Sequence, residues 1–145
     1  SEQSIIVERC IWEEAQRELK TQGAYFMNEE ESAKISALLM RANNTINPET
    51  VGKTALTVSQ MAGFSVPTNT RVLVSVQTVV SKQNPFSREK LCPVLGLYVE
   101  DDWKSACDRV VELLNSEGLG HTLGSIPATR KLIARSVWKN PCPVS

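Results

Sequence analysis

Pro85-Phe86-Ser87-Arg88-Glu89-Lys90-Leu91-Cys92-Pro93-Val94-Leu95-Gly96-Leu97-Tyr98 is the stretch that decides the fold class. A polar loop runs into a nearly unbroken apolar segment. A short apolar run bounded by turn residues reads as a strand buried on both faces, the kind found in parallel sheets. Pro85 and Pro93 restrict the loop and remove two backbone donors. Between them, Glu89 has two readings. It is either a solvated loop charge or a ligand-facing residue at the end of a strand, where open α/β sheets bind ligands.

Working outward, Asp101 and Asp102 place negative charge at a helix start, which the helix dipole favours. Trp103, Ala106, Cys107, Val110, Val111 and Leu114 follow at amphipathic spacing. Gly118 ends that helix, and Leu119 to Leu123 is expected to return as a strand. On the amino side, Arg71–Val80 alternates strongly enough to predict a strand with one face drier than the other. Pro67–Thr70 is a turn. Ala55–Ala62 is a short helix with Val58, Met61 and Ala62 inward. Asn28 and Glu31 form a capping box ahead of Ile35, Leu38, Leu39 and Ala42. Ala24–Met27 is a short strand. Ile11–Gln22 is a helix with Ile11, Trp12, Ala15 and Leu19 on one face, and Ser4–Arg9 is a strand. Strands alternating with helices predict an α/β domain.

The chain has 145 residues, 41% hydrophobic and 22% charged, enough for one domain or a large piece of one. Sixteen basic and 16 acidic residues cancel, so there is no electrostatic case for nucleic acid or an anionic membrane. No apolar run approaches the roughly 20 residues of a membrane helix. Cys10, Cys92, Cys107 and Cys142 form no C-x-x-C pair, and one histidine accompanies them, so no metal site is expected. Isolated cysteines fit a reducing cytosol.

The residues by themselves offer little chemistry. His121, between Gly120 and Thr122 and close after Gly118, is a candidate site residue because the glycines allow close backbone approach. Cys92 is a poor nucleophile candidate, since an apolar setting raises a thiol pKa. Gly118-x-Gly120 follows a helix and lacks a third glycine, so it is no dinucleotide fingerprint.

Four motifs in order carry a resemblance. Ala62-Gly63-Phe64-Ser65-Val66-Pro67 is similar to A-G-F-x-V-P. Pro85 to Leu95 is similar to P-F-x-x-E-K-L-S-P-V-L. Gly118 to Thr122 is similar to G-x-G-H-T. Ser1-Glu2-Gln3-Ser4 is similar to the end of C-x-S-E-Q-S. Together they resemble the CoA-acylating aldehyde dehydrogenases over residues 1–124. That group includes the acetaldehyde and sulfoacetaldehyde dehydrogenases and the aldehyde half of bifunctional aldehyde–alcohol dehydrogenases. The resemblance implies a parallel-rich three-layer sheet, incomplete here. It implies oxidation of an aldehyde to acyl-CoA with NAD or NADP, through a cysteine thioester resolved by coenzyme A. By the same resemblance Glu89 binds the nicotinamide ribose, Leu91 lies near the nicotinamide, Pro93 shapes the loop, and His121 assists acyl transfer. The implied setting is bacterial cytoplasm, or a microcompartment within it, with the chain as a homo-oligomer or self-associating.

Departures set further expectations. The family's nucleophile would stand just before Ser1 and its dinucleotide-binding domain earlier still, so the chain is expected to be a carboxyl-side piece of the catalytic domain, inactive alone. The alternative is a stand-alone α/β binding module. Cys92 replaces a small residue and is expected to pack. Ser125–Ser145 is poor in periodicity and unlike the family. Permitted codons read one base earlier spell a family-like ending, so a frameshift is one explanation, to be checked by sequencing the DNA.

Overall fold

The computed structural model describes residues 3–117. Four strands, β1 (Ser4–Glu8), β2 (Ala24–Phe26), β3 (Val72–Val76) and β4 (Val94–Glu100), form one sheet in the order β1-β4-β3-β2. Every pairing is parallel, with Ser4 opposite Gly96, Leu73 opposite Val94 and Tyr25 opposite Leu73. Four helices accompany them: α1 (Trp12–Thr21), α2 (Glu29–Leu39), α3 (Ala55–Ala62) and α4 (Trp103–Glu117).

The layers follow from side-chain alternation. On one face Val7, Val74 and Leu97 gather Ile11, just ahead of α1, and Trp12, Ala15 and Leu19 of α1. On the other, Leu73, Phe86 and Val94 close over Ile35 and Leu39 of α2 and Ala55 and Val58 of α3. Tyr98 shares Val94's face and carries the Arg109 guanidinium 5.2 Å above its ring, which brings α4 to that side. Arg109 also donates to Glu100 at 2.7 Å, tying α4 to the end of β4. The three-layer α/β architecture matches expectation.

Local signals explain the boundaries. Asn28 accepts from the Glu31 amide at 2.8 Å and Glu31 returns the contact, completing the capping box of α2. Thr54 caps α3, and Gly63 ends it with φ 89°, a left-handed conformation that favours glycine.

Several expectations give way. β3 stops at Val76 rather than Val80, because the chain turns into a loop where Asn84 holds the Val79 carbonyl at 2.7 Å. Leu73 and Ser75 are both buried, while on the opposite face Val72 is half-buried and Val76 is 49% exposed, so one face of β3 is the drier, as expected. Met61 is 39% exposed, and Ser59 turns inward in its place. Helix α2 ends at Leu39, since Met40 is extended and bridges Ile46, which leaves Ala42 exposed in the turn. The predicted return strand Leu119–Leu123, His121 and the tail 125–145 lie outside the described residues.

Candidate functional site

The connection between β3 and β4 is unusual for a parallel pair, which normally uses a helical crossover. Here residues 77–93 make the crossing as a loop with one 3-10 turn, Pro85–Ser87, laid on the sheet. Pro85, Phe86 and Ser87 are all buried. Asn84 caps the turn by accepting from the Phe86 amide at 3.1 Å. Ser87 Oγ donates to Ser81 and Asn84 carbonyls, closing the loop on itself. Gly96 makes room for it: a Cβ there would stand 2.6 Å from the Phe86 carbonyl oxygen.

This loop delivers Glu89, Leu91 and Pro93 to the amino end of β4. The loop precedes β4 and opens beside the starts of β1 and β3, at the amino ends of the strands rather than the carboxyl ends where open α/β sheets ordinarily bind ligands. Glu89 is exposed, and its carboxylate has no partner among the described residues. Leu91 adopts φ 54°, a conformation rare for a branched side chain, and is 54% exposed. Its carbonyl accepts from Gly52 at 3.0 Å, and the Pro93 carbonyl accepts from Leu73 at 2.9 Å. An ordered backbone thus holds an apolar side chain out toward solvent, a form of strain that concentrates at functional sites.

Beside Leu91 lies an open cleft of about 760 Å³, lined by Gln3, Lys53, Arg71, Leu91, Cys92 and Pro93 among others. Leu91 and Pro93 face it and Glu89 does not line it. Burial pushes the Cys92 thiol up, with the charge of Lys90 pulling the other way. Cys92 packs against the core side of the sheet, as expected, and is a free thiol. No cluster of histidine, cysteine and carboxylates suited to a metal occurs among the described residues. No described helix is long and apolar enough to cross a membrane.

Sequence reading missed Lys90. Its side chain is wholly buried at the base of the loop, against the general rule for lysine. The only signal was position, a cation directly ahead of an apolar strand.

No family model matches the chain. An acetylating aldehyde dehydrogenase from Geobacillus thermoglucosidasius superposes with a TM-score of 0.81 at 41% identity, over 83% of this chain and 26% of that one. This chain is homologous to part of the acylating aldehyde dehydrogenases. The aldehyde–alcohol dehydrogenase of Clostridium acetobutylicum is 39% identical over 124 residues, which are 86% of this chain and 14% of that protein. The acylating sulfoacetaldehyde dehydrogenase of Bilophila wadsworthia is 30% identical over 128 residues, 86% of this chain and 28% of the relative. The chain therefore spans between a seventh and just over a quarter of these acylating enzymes.

Proposed function

We propose that this segment forms the carboxyl-side part of a catalytic domain that oxidises an aldehyde to an acyl-CoA with NAD or NADP. The observation that carries this is the superposition on the Geobacillus acetylating enzyme across nearly the whole described fold. Glu89 offers a free carboxylate for ribose hydroxyls, and Leu91 presents a fixed apolar surface beside it. Bound NAD(P) supplies the hydride acceptor. The chain's part is to hold the ribose at Glu89, to cover one side of the cofactor with Leu91 and Pro93, and to exclude water there. His121 is assigned the helper role in acyl transfer to coenzyme A. The nucleophilic thiolate belongs to the residue two before Ser1 in the C-x-S-E-Q-S pattern, and Cys92 takes no part.

Residues 1–124 make up the catalytic portion and 125–145 a divergent tail. A cytoplasmic or microcompartment location accompanies this reading. A structural relative at 28% identity, with a TM-score of 0.70, comes from a fucose-utilisation microcompartment of Clostridium phytofermentans.

The test exchanges residues 3–117 for the matching stretch of the Geobacillus enzyme. CoA-dependent aldehyde oxidation by that hybrid is expected, with Glu89→Gln raising KM for the nucleotide. A folded hybrid without turnover refutes the assignment. The 145-residue chain by itself is expected to give no NADH from aldehyde, CoA and NAD⁺, and turnover would refute its dependence on the missing thiolate.

A further inference from the structure

Lys90 joins two pieces of chain distant in sequence. Its ammonium donates to the carbonyls of Gln3 at 3.1 Å, Phe86 at 2.9 Å and Arg88 at 2.7 Å. Its amide donates to Gln3 Oε1 at 2.9 Å. Gln3 leads into β1, while Phe86 lies in the turn laid over β4 and Arg88 directly follows it. Gly96 stands where the pieces meet. Its N–H approaches the Gln3 carbonyl at 3.4 Å, and its missing side chain admits the Phe86 carbonyl.

A buried ammonium is a poor choice if stability alone is at stake, because desolvation offsets much of what its partners return. Converging carbonyl dipoles add direction, though. They complete the ammonium's three carbonyl bonds when both pieces of chain are in place, so the charge favours one separation between them.

We propose that Lys90 is a positioning residue, a buried ammonium that locks the segment entering β1 to the loop carrying Glu89 and Leu91. Resting on the function proposed above, this lock sets the distance between the thiolate, which that segment follows, and the nucleotide that the loop faces.

Two measurements separate the lock from the functional reading. In the 145-residue chain, Lys90→Met is expected to speed amide exchange about tenfold or more at residue 90 and Gly96, relative to Leu39 and Val58 in the helices. Uniform acceleration would make Lys90 a general stabiliser and overturn the lock. Should Lys90→Met not fold, Lys90→Gln, which keeps a polar side chain but removes the ammonium charge, is expected to give the same local pattern, and its absence overturns the proposal. In the hybrid enzyme, Lys90→Met is expected to lower kcat about tenfold or more with nucleotide KM within about twofold, and Lys90→Arg to recover part of the loss. Unchanged kcat overturns the positioning role. A hybrid silent with Lys90 intact counts against the proposed function alone, and the exchange pattern still decides the lock.

Discussion

At Gly96 the fold tolerates no side chain. A methyl group would meet backbone at 2.6 Å, and backbone gives way less readily than the end of a flexible side chain. Gly96→Ala is expected to destabilise the chain by about 1–3 kcal/mol, the usual range for overpacking a filled site. Urea unfolding measures it, and an unshifted midpoint would mean the Pro85–Ser87 turn lifts freely. Cys92 makes a second test at this scale. Its thiol is pushed up by burial, whereas Cys10 is exposed. Iodoacetamide at pH 8 is expected to label Cys10 well before Cys92, as read by peptide mass mapping, and equal rates would reopen Cys92 as a nucleophile. Glu89 and Cys92 could be weighed from sequence because loop position and an apolar setting are local properties. Lys90 could not, because its acceptors lie at Gln3 as well as nearby, and only tertiary structure brings them together.

Capped helix ends were the most legible feature of the elements, for the physical reason that caps act within three or four residues. The capping box at Asn28 and the α3 bounds, Ala55–Ala62, appear as the pattern predicts. Asn28→Ala is expected to remove about 1 kcal/mol, visible in thermal unfolding. At α4, Asp102 accepts from the Ser105 amide at 2.7 Å, and that bond holds its carboxyl below the usual value of 3.8. A depressed carboxylate contributes fully above its unfolded pKa, and the contribution fades as pH falls through the lower folded value. Fraying at the first turn of α4 is therefore expected below about pH 4. The Ser105 amide shift followed by NMR checks this, and Asp102→Ala should show the frayed shift already at pH 6. Strand β3 was less legible. Alternating valines carry on through Val80, but pairing in the sheet, not periodicity, decides where a strand stops. The burial of Val74 on one face and Leu73 on the other likewise depended on α1 arriving from one side and α2 and α3 from the other.

Across the whole molecule, the α/β class and the order of elements were readable from alternation, and the amino-end position of the loop was not, because strand direction needs the topology. The assembled surface leaves Trp103 and Val111 on α4 nearly half exposed, with Val76, Val79 and Leu91 likewise open. Large apolar side chains uncovered in this way favour association. We expect the 145-residue chain to self-associate, with light scattering showing mass rising with concentration. A monomer at high concentration would remove this expectation.

The order of the strands also bears on synthesis. β1 is made first, yet its pairing partner in the described sheet is β4, with Ile5 set against Leu97, 97 − 5 = 92 positions later. At ribosomal speeds of about 5–20 residues per second, Ile5-Ile6-Val7 waits roughly 5–20 seconds for that partner. A nascent chain bearing three unpaired β-branched residues through that interval is an attractive client for a holdase chaperone.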